Sequence, residues 1–166
     1  MSDYMIEETT GRQAVRYKSI VVAIHWITAA FVLTQIYLGF AFGDYPKGSP
    51  ERTELFTWHR SVGVLILFLA LIRLAVRLMN PPPPYPEDLP KWERAVAVWS
   101  HRLFYVLLVA LPLTGLMLVS KGGATTKLVG GLSFPTVPLP FGELHELLAF
   151  SLIGLLGLHA GAALKQ

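Results

Sequence analysis

The sequence has 166 residues, 53% of them hydrophobic and 15% charged, and its mean hydropathy of +0.50 indicates a membrane protein rather than a soluble domain. It contains no cysteine, which excludes disulfides, cysteine-ligated iron–sulfur clusters, thiolate zinc sites and covalently attached c-type haem. The net charge of +3 comes from cations at the ends of apolar segments, which membrane topology explains better than nucleic-acid binding.

Four apolar segments follow one another at about residues 19–42, 58–79, 98–119 and 143–164. Each is close to the length of about 20 residues that a helix needs to cross a bilayer, where the lack of water requires a helical backbone. The first is too long for a signal-peptide core, so we expect it to be retained. The sequence predicts an all-α fold: an integral membrane four-helix bundle over residues 19–166, preceded by a polar segment at 1–18.

Two connections have distinctive compositions. Between the second and third segments, the prolines at 81–84, 86 and 90 predict an extended, polyproline-like crossing, and residues 91–94 predict an interfacial start to the third helix. Residues 120–142 are rich in glycine, proline and threonine but also contain apolar side chains. Two interpretations of this segment stay open: a lid along the membrane surface, or a simple connecting loop.

The lysines and arginines predict the orientation of the bundle, because cytoplasmic loops carry an excess of them. With the N-terminus inside, the outer side holds five. They are Lys47, Arg52, Arg60, Lys121 and Lys127. The inner side holds nine. They are Arg12, Arg16, Lys18, Arg73, Arg77, Lys91, Arg94, Arg102 and Lys165. We therefore expect both termini, and the segment 1–18, to be cytoplasmic.

Histidines recur at two depths of the predicted bundle. The alternating helix directions place His25 and His159 near the inner side, and His59 and His145 near the outer side. His145 and His159 are fourteen residues apart, which is about 21 Å along nearly one face of a helix. Ionisable side chains at membrane depth are costly, so we interpret these four as two bis-histidine cofactor sites, one near each surface.

The arrangement of the histidines indicates which metal they bind. Zinc and copper sites favour closely clustered ligands that include carboxylates or thiolates. These histidines instead come as isolated pairs with aromatic residues and glycines nearby. Two imidazoles saturate the axial positions of an iron, which suits electron transfer. We predict two stacked, non-covalent b-type haems, with a haem-free metal transporter as the alternative. His101 has no partner at its level, and three roles stay open: propionate contact, quinone hydrogen-bond donor, or structural histidine.

The same fourteen-residue step, applied from the first histidine of each other helix, ends on Gly39, Arg73 and Gly115. A glycine lets a flat macrocycle approach the backbone, and Gly63, one turn after His59, is a further candidate. Arg73 would place a cation at the inner level, where a haem propionate needs one. For each glycine, close helix packing stays an open alternative.

The chain also carries a series of short strings of residues in a fixed order. They are Arg16-Tyr17, Ala23-Ile24-His25-Trp26, Trp58-His59-Arg60-Ser61-Val62-Gly63, Leu71-Ile72-Arg73-Leu74, His101-Arg102-Leu103-Phe104-Tyr105, Leu111-Pro112-Leu113-Thr114-Gly115, His145-Glu146 and Gly157-Leu158-His159-Ala160-Gly161-Ala162. Their order and spacing resemble the bacterial cytochrome b561 family, small dihaem membrane proteins of four helices. The resemblance runs from Tyr17 to Leu164.

This resemblance implies a multi-pass protein of the bacterial inner membrane with His25, His59, His145 and His159 as axial haem ligands, in agreement with the depth argument. It implies a quinone, ubiquinone or menaquinone, as the redox partner on the lipid side. Some members are similar to superoxide oxidases, which pass an electron from superoxide outside to quinone, so we expect an oxidoreductase of this type. The alternative is the cytochrome b subunit of a larger membrane dehydrogenase or hydrogenase.

Several cations lie near the expected haem levels. Arg60 either neutralises an outer propionate or anchors its helix at the interface. Together with Lys121 and Lys127, it would also form an outer funnel that attracts a small anion. Inner propionate contacts are expected from Arg16, Lys18, Arg73 and Arg102. Family members usually continue with a basic tail, whereas this sequence ends at Gln166, which leaves open whether it is a fragment.

Overall fold

The computed structural model of the chain describes residues 6–7, 14–15, 19–81, 89–118, 125–135 and 142–165. Its four long helices are α1 (Ser19–Ala41), α2 (Pro50–Met79), α3 (Lys91–Leu118) and α4 (Gly142–Lys165). A short antiparallel pair, β1 (Ile6–Glu7) and β2 (Ala14–Val15), precedes them. Each long helix is long and apolar enough to cross a membrane, so the predicted all-α four-helix membrane fold is confirmed.

Helix α2 begins earlier than the apolar span predicted from residue 58, because its polar first turns are capped. The hydroxyl of Ser49 accepts a hydrogen bond from the backbone N–H of Arg52 at 3.2 Å. Pro50 takes the first helical position, where the missing N–H removes no helical hydrogen bond. The helix therefore continues beyond the apolar region at this end.

Helix α3 begins at Lys91, directly after Pro90, where the sequence predicts an interfacial start. The exposed indole of Trp92 follows in its first turn, a position that suits the headgroup region. Further along, Pro112 lies inside the helix and removes one backbone donor from its hydrogen-bond ladder. Most of the predicted proline-rich crossing, residues 82–88, lies outside the described residues.

The helices pack in chain order, α1 on α2, α2 on α3 and α3 on α4. Buried apolar side chains from all four helices form a common core, which includes Val32, Ile66, Leu108 and Leu152. Other faces of the helices expose large apolar side chains, among them Leu158. Lipid tails are as apolar as leucine, so these faces fit a bundle surrounded by lipid.

Part of the segment 120–142 forms a β-hairpin. Its strands are β3 (Thr125–Lys127) and β4 (Ser133–Pro135), which pair antiparallel. The connection between them holds Gly130 and Gly131 at φ values of 81° and 78°, a backbone conformation that residues with a Cβ rarely adopt. The two glycines therefore permit the tight turn that the hairpin needs.

The hairpin is attached to the end of α2 that carries His59, which we call the outer end of the bundle. Arg60 donates from Nη1 to the hydroxyl of Thr126 at 2.6 Å, and Thr126 is buried. The backbone N–H of Val129 donates to the hydroxyl of Ser61 at 2.9 Å. This part of the segment thus lies against the bundle, and both a lid along the membrane surface and a simple connecting loop stay predictions.

Candidate functional site

The structure brings together the histidine pairs that depth predicts from the sequence. At the outer end, the ring centroids of His59 on α2 and His145 on α4 are 6.4 Å apart, with the ring planes at 76°. At the opposite end, which we call the inner end, His25 on α1 and His159 on α4 are also 6.4 Å apart, with the planes at 62°. Helix α4 therefore contributes one histidine to each of two equally spaced pairs.

A third histidine lies at the inner end. The ring of His101 on α3 is 5.7 Å from that of His159, and the ring of Phe104 is 5.2 Å from it. The Nδ1 atom of His101 is buried and has no hydrogen-bond partner among the described residues. The contact of His101 with His159 is compatible with the expectation that, once the inner pair is complete, His101 has no histidine left to share a metal with, and its role stays a prediction.

A cavity of about 540 Å³ surrounds the outer pair. All four helices contribute to its lining, which includes His59, His145, Gly39, Gly63 and Gly115. Its volume lies in the range of about 300–1,000 Å³ that is usual for cofactor and ligand pockets. The outer pair thus faces a space large enough for a sizeable, mostly apolar cofactor.

The glycines of this cavity make room for polar side chains of the site. A Cβ added at Gly39 would lie 3.4 Å from Cε1 of His59, and one added at Gly115 would lie 3.1 Å from Cε1 of His145. A Cβ added at Gly63 would lie 3.2 Å from Nε2 of the Gln35 side chain. Two of the three glycines therefore allow the imidazoles to sit close to the helix backbone, while clearance for a macrocycle stays a prediction.

The two outer histidines differ in their hydrogen bonds. The Nδ1 atom of His145 lies 3.1 Å from the carbonyl oxygen of Leu111 and 3.1 Å from the hydroxyl of Thr114. In contrast, Nδ1 of His59 is buried without a partner among the described residues, and its Nε2 lies 3.1 Å from Nε2 of Gln35. Sequence patterns did not indicate that Thr114 and Gln35 contact the histidines, although the amide of Gln35 in the middle of an apolar span was a signal.

The predicted cations lie in different surroundings. Arg60 borders the outer cavity, and besides Thr126 it donates to the hydroxyl of Thr57 at 2.9 Å. At the inner end, the guanidinium of Arg73 lies 5.9 Å from the ring centroid of Tyr105. The structure also packs Arg102 over the ring of Trp99. Arg16, Lys18 and Lys121 lie outside the described residues.

A family model described as prokaryotic cytochrome b561 matches residues 16–166. The chain belongs to the prokaryotic cytochrome b561 family. It is 29% identical over 156 residues to cytochrome b561 homolog 1 of Escherichia coli K12, which covers 90% of this chain and 88% of that protein. It is 30% identical over 162 residues to cytochrome b561 homolog 2 of the same strain, which covers 91% and 84%. It is also 29% identical over 160 residues to the "Probable superoxide oxidase CybB" of Yersinia pestis, which covers 90% and 87%.

Membership of the cytochrome b561 family establishes the general role of the chain. It is a multi-pass bacterial membrane protein of electron transfer, its general class of activity is that of an oxidoreductase, and its family implies b-type haem. The resemblance predicted from the sequence is thereby confirmed. The name of the Yersinia relative applies to that protein and does not by itself assign a reaction to this chain.

The histidine pairs of this cytochrome b561 protein fit a metal held between two imidazoles. A metal bond to an imidazole nitrogen is about 2.0 Å, and this nitrogen lies roughly 1.1 Å from the ring centroid, so two opposed rings on one metal have centroids about 6.2 Å apart. Both observed separations are 6.4 Å. In the described part of the chain, no three histidine, aspartate or glutamate side chains are grouped to hold a metal ion, unlike a clustered zinc site.

Proposed function

We propose that the protein carries electrons across the membrane through two b-type haems, each held by one pair of histidines. The observation that carries this proposal is the equal 6.4 Å separation of two histidine pairs at opposite ends of the bundle. The ligands are His59 and His145 at the outer end, and His25 and His159 at the inner end. The two α4 ligands are fourteen positions apart, which corresponds to about 21 Å along the helix. The apolar interior of the bundle lies between the two sites.

Haem supplies reversible one-electron chemistry at its iron, and the chain supplies ligation, orientation and a dry surrounding. Held by two histidines, a haem iron would have no open site for oxygen, which would favour electron transfer over oxygen activation. The outer cavity is lined mainly by apolar side chains of all four helices. Low polarity around a redox centre excludes water and contributes to its potential.

For the outer side, we propose superoxide as the electron donor. The positive charge of Arg60 borders the cavity, and the exposed Lys127 lies on the hairpin attached above it. Cations around the mouth of a site raise the local concentration of a small anion and its rate of association. The name of the Yersinia relative, a probable superoxide oxidase, supports this proposal by analogy.

On the lipid side, we propose a membrane quinone, ubiquinone or menaquinone, as the electron acceptor. A quinone reaches the bundle through the lipid, and His25 and His159 at the inner end are only half-buried. The orientation consistent with this path has both termini in the cytoplasm. The excess of lysines and arginines on that side supports it.

Quantitation of haem per chain tests the proposal directly. The purified protein should contain two b-type haems per chain by the pyridine haemochrome method. His145→Ala should contain one, and His159→Ala should contain one with a different reduction potential. Circular dichroism of each variant checks that the helices are retained. A folded variant of either kind that still held two haems would show that the histidine pairs are assigned wrongly.

A further inference from the structure

One short stretch of α3, residues 111–115, holds the imidazole of His145. The carbonyl oxygen of Leu111 and the hydroxyl of Thr114 each lie 3.1 Å from its Nδ1. Next to them, Gly115 leaves space for the ring, because a Cβ there would lie 3.1 Å from Cε1. Two acceptors and one missing side chain thus fix where the ring sits and which nitrogen faces α3.

The hydroxyl of Thr114 has its own hydrogen bonds within the helix. It is buried, with 7% of the residue exposed, and it lies 2.9 Å from the carbonyl oxygens of both Ala110 and Leu111. A hydroxyl carries one proton and two lone pairs, so it donates to one carbonyl and keeps acceptor capacity for a second partner. His145 is that partner. Carbonyl and hydroxyl both accept here, so the imidazole proton lies on Nδ1.

We propose that Thr114 is a positioning residue for His145: its hydroxyl accepts from the Nδ1–H that the Leu111 carbonyl requires, and so increases the electron donation of Nε2 to a bound metal. This inference rests on the proposed function, in which His145 is an axial ligand. A hydrogen bond from the outer N–H of a ligating histidine orients the ring and raises its basicity. A more basic ligand stabilises the oxidised iron, so the bond lowers the reduction potential of the outer haem.

The other ligand of the outer site lacks this support. His59 has a buried Nδ1 without a partner among the described residues, and its other ring nitrogen, Nε2, lies 3.1 Å from Nε2 of Gln35. The two imidazoles of the outer site therefore differ in donor strength. At Nδ1, the hydroxyl of Thr114 is a side-chain group that His145 has and His59 lacks, which makes it a point at which the chain adjusts the outer potential.

The test is potentiometric titration of the two-haem protein and its Thr114 variants. Thr114→Val removes the hydroxyl and keeps the side-chain shape, whereas Thr114→Ser keeps the hydroxyl. Thr28→Val is the matched control, because Thr28 is also buried and also donates to a helix carbonyl, that of Ile24 at 2.7 Å. Haem content, measured on the same samples, shows whether each variant retains both cofactors.

We expect Thr114→Val to shift the one-electron equilibrium of the outer haem by roughly threefold to tenfold towards reduction, which is about 30–60 mV at 59 mV per tenfold step. Thr114→Ser and Thr28→Val should leave the outer potential unchanged. Loss of one haem in Thr114→Val, with two haems at normal potentials in Thr114→Ser, would also support the role of the hydroxyl.

Two haems with unchanged potentials in Thr114→Val would overturn the inference. A Thr114→Ser variant with the same shift in potential, or the same loss of haem, as Thr114→Val would also overturn it. These results are distinguishable from failure of the proposed function. In that case, the parent protein would lack two haems, or His145→Ala would retain both, whatever the Thr114 variants do.

Discussion

His101 and His159 lie with their ring centroids 5.7 Å apart, closer than the 6.4 Å between His25 and His159. The inner end thus holds three histidines, while one bis-histidine site uses two. Two opposed imidazoles on one metal would have centroids about 6.2 Å apart, and the 6.4 Å pair is nearer to this spacing than the 5.7 Å pair. We therefore propose that His101 belongs to the surroundings of the inner site and not to its ligands.

We expect His25→Ala to lose one haem and His101→Ala to retain two. In the second variant, the spectrum or potential of the inner haem should change, because the ring against His159 is removed. Absorption spectroscopy with haem quantitation checks both variants. Retention of two haems in His25→Ala, together with loss of one in His101→Ala, would make His101 and His159 the inner ligand pair.

The glycines of the outer cavity should differ in their tolerance of alanine. At Gly115 the added Cβ lies 3.1 Å from His145 and forces its ring to move, whereas at Gly39 the distance of 3.4 Å to His59 is close to ordinary contact. Overpacking of a well-packed site costs about 1–3 kcal/mol. We expect Gly115→Ala to lower haem occupancy and thermal stability more than Gly39→Ala does.

Gly154→Ala is the control for this pair of variants, because no atom of the described residues outside its own helix turn lies within 4 Å of an added Cβ. It should match the parent protein in haem content and melting temperature. If alanine at positions 39, 115 and 154 changed haem content and melting temperature equally, contact with the histidine rings would not explain the changes.

The hydrogen bond between Arg60 and Thr126 should hold the hairpin on the bundle. Thr126→Val removes the acceptor of the 2.6 Å bond. A hydrogen bond from a charged donor contributes about 1.5–3 kcal/mol when buried, and we expect about 1 kcal/mol here, or roughly fivefold faster amide exchange, because Arg60 is only partly buried. Hydrogen–deuterium exchange over residues 125–135 measures the change.

Thr57→Val serves as the matched variant for the hairpin, since it removes another acceptor of Arg60 but none on the hairpin. Its exchange over the same residues should equal that of the parent protein. If both variants increased amide exchange in the hairpin to the same extent, the stabilisation of the hairpin would depend on the position of the Arg60 side chain and not specifically on its hydrogen bond to Thr126.

Removing positive charge at the outer end should slow the oxidation of superoxide. We expect Arg60→Gln and Lys127→Gln each to lower the rate severalfold at low ionic strength, with a smaller difference at high salt, because screening weakens attraction between exposed charges. Lys91→Gln, at the start of α3 and away from the outer end, should leave the rate unchanged. Rates that are independent of both charge and salt would exclude electrostatic attraction of the donor.

The sequence predicted those features that the membrane constrains physically. Apolar length predicted the four helices, and the cost of burying histidines predicted which rings meet across the bundle. The hairpin was missed, because its strands are three residues each and depend on docking to Ser61 and Arg60. The support of His145 was missed because one acceptor is a backbone carbonyl, which side-chain patterns do not reveal.

The central claim is that electrons cross the membrane through both histidine sites in series. Vesicles that contain the protein, with ferricyanide trapped inside and a membrane-impermeant reductant outside, measure this transfer as loss of ferricyanide absorbance. The parent protein should reduce the trapped ferricyanide much faster than protein-free vesicles do, and His145→Ala and His159→Ala should each fall to the protein-free rate. Transfer at the parent rate in either folded variant would contradict the account.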